Sequence, residues 1–122
     1  MPGRLAERIP PPHRLRTSLE YAAIKSEGRA VRGQHCLLLV LERPDSPTKV
    51  GFIASRRSVG NAVQRNRARR RLREIVRRRF ARVQPQGRWL VFVAFRTALT
   101  ADHGALVDDV ERLLADAGAL DR

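Results

Sequence analysis

The chain has 122 residues, 43% of them hydrophobic and 30% charged, and a formal net charge of +13. That is room for one small domain with a single core, and too apolar a composition for a disordered basic tail. One cysteine, Cys36, excludes an intrachain disulfide, no apolar run nears the ~20 residues of a membrane span, and the first residues lack a signal-peptide core, so a soluble cytoplasmic protein is expected.

Residues 1–16, "MPGRLAERIPPPHRLR", read as a flexible basic and proline-rich arm, because consecutive prolines remove backbone donors and fix an extended path. Its arginines suit RNA backbone or a solvated tail equally. A single domain is expected over 17–118, with a short tail at 119–122. A first helix is predicted from Ser18 to Ser26, capped by Thr17 or Ser18 and stopped near Gly28. "AVR" (30–32) suits a short edge strand. "QHCLLLVLE" (34–42) and "KVGFIAS" (49–55), parted by "RPDSP", read as an antiparallel hairpin whose first strand is covered on both faces or central. In this setting Cys36 is a buried small hydrophobe. After the arginine segment, "QPQG" (84–87) breaks the chain and "RWLVFVAF" (88–95) is a strand by its β-branched and aromatic content. "DHGALVDDVERLLADAG" closes as an amphipathic helix with Leu106, Val110, Leu113, Leu114 and Ala117 on one face, Asp102 at its start and Gly118 at its end. The fold class is α+β, an α/β sandwich of few strands in the order αβββαβα.

The charge is concentrated in the middle. Residues 55–82 hold twelve arginines and one glutamate, a net +11. Placed on a helix at about 100° per residue, Ala68, Leu72, Ile75 and Val76 form one apolar stripe. Asn66, Arg70, Arg73 and Arg77 stack on the opposite side. Arg65 and Arg69 take one flank, and Arg67, Arg71 and Arg78 the other. A core-facing stripe with arginine nearly everywhere else predicts an ordered helix that presents a polyanion-binding face. Like-charged neighbours one turn apart each cost about 0.2–0.5 kcal/mol, and Glu74 cannot relieve them all. Arginine suits RNA because its planar fork holds phosphate by two hydrogen bonds and stacks on bases. At the start of the segment Gly60 permits a tight path, and Ser58 or Asn61 can cap the helix, which places a positive helix end beside the arginines.

Nothing in the chain reads as a self-contained catalytic or metal site. His13, His35 and His103 stand at unrelated places, no His/Cys cluster has ligand spacing, and the acids beside His103 read as capping and solvated residues.

"SRRSVGNAVQRNRARRRLRE" (55–74) resembles the signature of the protein subunit of bacterial ribonuclease P. Ser55-Arg56-Arg57 stands for a Ser-Lys-Lys-like triplet, Gly60-Asn61-Ala62 for a Gly-Asn-Ala, and Arg65-Asn66-Arg67 for an Arg-Asn-Arg followed by further basic residues. "LRTSLEYAAIKSEGRAVRG", "KVGFIAS" and "RWLVFVAF" are similar to the family's first helix and to the strands flanking its signature, so the resemblance spans about 14–118. It implies a four-stranded sheet with a left-handed βαβ crossover through the basic helix. It implies a ribonucleoprotein endoribonuclease that removes the 5′ leader from precursor tRNA, with Mg²⁺-dependent cleavage by the RNA subunit and no metal bound by the protein alone. The expected partners are the catalytic RNA and precursor tRNA, with no membrane and no protein partner. By the same resemblance Arg56, Arg57, Asn61, Arg65, Asn66, Arg67, Arg69, Arg70 and Arg73 are the RNA-binding candidates, and Tyr21, Arg69 and Arg73 those for the 5′ leader. The chain departs from the pattern at Lys25 and Leu39, where aromatic residues are frequent, and in having Arg56-Arg57 for a lysine pair. Electrostatic holding of the leader is therefore expected to outweigh stacking. The alternatives are a ribosomal protein or RNA chaperone without an enzymatic complex, and a membrane-surface basic protein. The last would need a bulkier apolar face than this stripe offers.

Overall fold

A computed structural model describes residues 8–121. Three helices, α1 (Ser18–Glu27), α2 (Ala62–Arg79) and α3 (His103–Asp116), pack on a sheet of β1 (Arg29–Arg32), β2 (Cys36–Pro47), β3 (Lys49–Ile53) and β4 (Gln86–Ala94). The sheet order is β1-β2-β4-β3. β1 and β4 run antiparallel to β2, and β3 runs parallel to β4. The α+β class and element order agree with the sequence reading; the hairpin does not. β2 and β3 are separated by β4, and each pairs with it. Pro44 and Pro47 cannot donate to a returning ladder, and the β2–β4 register shifts between Arg43 and Pro47. β4, apolar on both faces, gains more from the interior position than β3 would.

Pleating divides the sheet residues between two layers. Cys36, Leu38, Val40, Val50, Leu90, Phe92 and Ala94 face α2 and α3. There they join Ala68, Leu72, Ile75 and Val76 of α2 and Leu106, Val110, Leu113 and Leu114 of α3 in the main core. Every stripe residue expected on α2 and α3 is buried. On the other face Ile24 of α1 packs with Leu15, Leu41 and Val91, beside half-buried Tyr21, Leu39 and Trp89.

Both chain ends correct the expected boundaries. Residues 1–7 of the arm lie outside the described residues, but the remainder is anchored. Pro11–His13 forms a 3-10 turn, and Ile9 and Leu15 are buried. The Leu15 N–H donates to the Val50 carbonyl at 3.0 Å, Arg14 forms a parallel bridge with Val50, and His13 Nδ1 donates to the Thr48 carbonyl at 2.7 Å. The prolines make the path extended, and two apolar anchors dock it on the free edge of β3. At the other end Ala119 is buried and Leu120 bridges Val83, so the tail to Asp121 belongs to the domain as well.

α1 begins with a full capping box between Thr17 and Glu20. Glu20 also accepts from the Arg16 N–H at 2.8 Å and pairs with Lys49 at 2.8 Å, tying the helix to β3. Burial opposes ionisation here, but the Lys49 ammonium and the two backbone donors outweigh it and hold the carboxyl at about 2, below its ordinary 4.5. A depressed carboxylate stabilises the fold above its unfolded value and loses that contribution as pH falls toward its folded one. In urea melts the wild type should therefore lose about 1–2 kcal/mol relative to Glu20→Gln between pH 5 and pH 2. Equal losses in both proteins would contradict this role for Glu20.

Candidate nucleic-acid interface

α2 starts where the sequence suggests. The Asn61 side chain accepts from the Gln64 N–H at 2.9 Å, and the Gln64 side chain accepts from the Asn61 N–H at 2.9 Å. Gly60 is required beside this box: its φ is +137°, and a Cβ there would run into the Gln64 carboxamide. Asn61 is thus the cap, and its side chain is engaged within the helix start. The preceding loop, which carries exposed Arg56 and Arg57, is pinned by Arg96, whose guanidinium donates to the Val59 carbonyl at 2.6 Å.

The structure sorts the arginines of α2 into two groups that composition cannot separate. Arg71 donates to the carbonyls of Ala98 and Ala101, both at 2.8 Å, and ties the helix to the turn after β4. Arg77 and Arg78 pair with Glu74, whose carboxyl these two guanidiniums hold at about 2. Arg79 pairs with Glu111 of α3 at 2.6 Å. These four belong to the fold or to its local charge balance. Arg56, Arg57, Arg67 and Arg70 are exposed and have no hydrogen-bond or ion-pair partner among the described residues. Arg65 is half-buried, and its Nε is enclosed without a protein acceptor. Asn66 accepts from Arg69 one turn on. The open cations therefore gather on the first half of α2 and the loop before it, at the positive helix end.

Arg69 and Arg73 turn toward a groove along the free edge of β3. One stretch, about 450 Å³, lies between α1 and β3 and is lined by Ser18, Tyr21, Lys25, Phe52, Ala54 and Arg69. The next, about 350 Å³, shares Tyr21 and Phe52 and continues to Val50, Arg73 and the docked N-terminal residues. Tyr21 is half-buried against Gly51, where a Cβ would run into its hydroxyl. Burial pushes that hydroxyl's pKa up, although a hydrogen bond from the Phe52 backbone and the charges of Arg73 and Arg69 act the other way. It stays a neutral aromatic at physiological pH. Arg73 stands 5.4 Å over the Phe52 ring, which stacks on Phe92 at 5.8 Å.

Phe52 escaped the sequence reading. Inside "KVGFIAS" it reads as one more core residue of a strand. No local signal marks it, because its partial exposure follows from β3 lying at the sheet edge. Leu39, by contrast, is half-buried beneath α1 and is no part of the groove lining. The aromatic surface is thus Tyr21 with Phe52.

Among the described residues no group of three His, Cys, Asp or Glu side chains could hold a metal ion, and no helix is long and apolar enough to cross a membrane. The guanidiniums of this surface cannot ligate a hard cation such as Mg²⁺. Burial and the neighbouring Asp109 push the Cys36 thiol far up, so it is no nucleophile.

A family model described as Ribonuclease P matches residues 9–118. A ribonuclease P protein component of Symbiobacterium thermophilum is 40% identical over 111 residues, covering 90% of this chain and 95% of that protein. One of Gluconacetobacter diazotrophicus is 42% identical over 108 residues, with coverages of 87% and 91%. Among solved structures, the RNase P protein of Staphylococcus aureus superposes with a TM-score of 0.76 at 18% identity, covering 89% of this chain and 98% of that one. The RNase P protein of Thermotoga maritima does so with a TM-score of 0.72 at 24% identity, covering 84% and 96%. The two structural likenesses bear on the fold alone.

Proposed function

Because the chain belongs to the ribonuclease P protein family, we propose that its two basic surfaces divide the work of a tRNA-processing ribonucleoprotein. The chain is the protein component of an RNA-catalysed endoribonuclease, and hydrolysis is assigned to the RNA. Arg56, Arg57, Arg65, Arg67 and Arg70, with Asn61 and Asn66 beside them, hold the catalytic RNA. The groove of Tyr21, Phe52, Arg69 and Arg73 holds the 5′ leader of precursor tRNA. The observation that carries this reading is the sorting of the arginines. Arg56, Arg57, Arg67 and Arg70 are left open, Arg69 and Arg73 line the groove, and Arg71, Arg77, Arg78 and Arg79 are committed to the fold or its charge balance.

Single-stranded RNA binding needs backbone neutralisation and a stacking surface, and the groove offers both. Phe52 gives an aromatic face, Tyr21 a second ring at the shared section, and Arg69 and Arg73 supply charge from α2. Mg²⁺ supplies charge stabilisation and an activated water to phosphodiester hydrolysis. In this reading its ligands belong to RNA phosphates. The arginines lower the repulsion that crowds those phosphates and so favour the ion-binding arrangement. A cytoplasmic place of action goes with this reading.

The test is leader cleavage of a precursor tRNA by a cognate ribonuclease P RNA at low Mg²⁺. Added protein should raise the rate, and Arg70→Ala should require more protein for the same gain while folding cooperatively. No gain over RNA alone would exclude this function and favour an RNA chaperone without an enzymatic complex.

A further inference from the structure

The flank of α2 opposite the leader groove faces the turn after β4, where a short 3-10 helix spans Arg96–Leu99. A pocket of about 480 Å³ lies between them, lined by Gln64, Arg67, Arg96, Thr97, Leu99 and Thr100. Its walls are held by separate tethers. Arg71 donates to the Ala98 and Ala101 carbonyls, and Arg96 to that of Val59. The Phe95 N–H donates to the His35 carbonyl at 3.0 Å, and the His35 ring bonds the Thr97 hydroxyl at 2.9 Å. Asp109 in turn holds the Gln34 and His35 N–H groups. The pocket is therefore formed in the free protein and needs no rearrangement to open.

Its chemistry is divided between floor and rim. Leu99, 8% exposed, gives an apolar floor. The Gln64 carboxamide oxygen is taken by the Asn61 N–H, which leaves the amide nitrogen as a donor. The exposed Thr100 hydroxyl can donate or accept. A nucleobase has the matching character, flat and apolar on its face and polar at its edge. A bare phosphate would leave Leu99 unused. Arg67, at the rim, is exposed and has no hydrogen-bond or ion-pair partner among the described residues. A strand held there by its phosphate brings its own base to the pocket. Unpaired bases splayed out of a folded RNA are the ones proteins read individually.

We propose that this pocket seats one unpaired base of the catalytic RNA, with its face on Leu99, its edge against Gln64 and Thr100, and its phosphate on Arg67. The interface then recognises a base as well as a charged backbone. This inference rests on the assignment of Arg67 and its neighbours to the catalytic RNA, and adds to it a base-specific contact.

The test is chemical probing of base reactivity in a cognate ribonuclease P RNA, free and protein-bound, beside filter binding over a salt series. The wild type should protect the polar edge of an unpaired base. Thr100→Trp, which fills the pocket, should restore that base's reactivity. It should also weaken binding about 5- to 30-fold at an unchanged salt slope, because a stacking contact is lost and the phosphate contacts are kept. No binding by the wild type would overturn the RNA-binding reading, and the pocket with it. Wild-type binding with the same bases protected by Thr100→Trp, or with affinities within twofold of each other, would overturn the pocket alone. If Thr100→Trp does not melt cooperatively, Thr100→Cys decides. Cys36 is buried, so a short photoreactive probe attaches at position 100 alone. Crosslinking to one unpaired nucleotide supports the pocket, and crosslinks that are absent or scattered over paired stems overturn it.

Discussion

Replacing Asp109 with alanine is expected to cost about 3–5 kcal/mol of stability, measured as a lower urea midpoint at unchanged slope. The carboxylate comes from α3 but serves the β1–β2 turn. It accepts from the Gln34 N–H at 2.9 Å and the His35 N–H at 2.8 Å, and the Cys36 thiol lies 3.6 Å away. It is one of two buried polar or charged residues among those described, and Arg112 stands 3.7 Å off as its counter-charge. Each charge-assisted bond is worth about 1.5–3 kcal/mol, and truncation leaves two backbone donors enclosed. Asp109→Asn should recover only part of the loss, because an amide can accept with one atom where two acceptors are needed. A loss under 1 kcal/mol in the alanine variant would mean that the turn is held by its own geometry.

The second large effect is on binding. Affinity for the catalytic RNA should fall about 10³-fold or more between 50 and 200 mM salt if some six phosphates are contacted, taking the duplex-DNA rule as a guide. The triple variant of Arg57, Arg67 and Arg70 to alanine should lower the magnitude of the log–log salt slope by about 2–3 while retaining a cooperative melt. Arg71→Ala is the contrasting case. Its guanidinium is committed to two carbonyls of the turn after β4. It should therefore lose about 1–3 kcal/mol of stability and leave the slope nearly unchanged. Filter binding over a salt series, paired with thermal melts, separates the two outcomes. Equal slopes in the triple variant and the wild type would refute the assignment of the open arginines.

Local features of this chain could be read without its structure. Arginine fills so much of α2 that Ala68, Leu72, Ile75 and Val76 leave only one way to turn the helix toward the core. Asn61 and Gln64 stand at the spacing a helix start needs. The central place of β4 could not be read in the same way. It depends on a competition between β3 and β4 for β2 over some 40 residues of intervening chain, and no local pattern reports it. The docked N-terminal segment was hidden because Ile9 and Leu15 are lone apolar residues among prolines and arginines. Their meaning comes from the edge they meet. The two groups of arginines are hidden for a related reason: helical phase places Arg71 on a flank with Arg67, and only the turn after β4 distinguishes them.

Glu74 pairs with Arg77 and Arg78, and Glu111 with Arg79, so the acids quiet the end of α2 that lies away from the signature. The opposite end keeps its repulsion until RNA arrives. Binding of a polyanion at that end should therefore stabilise the fold by mass action. The uneven placement of acids along one helix thus leaves the unrelieved charge at its first turns, where a bound polyanion would offset it.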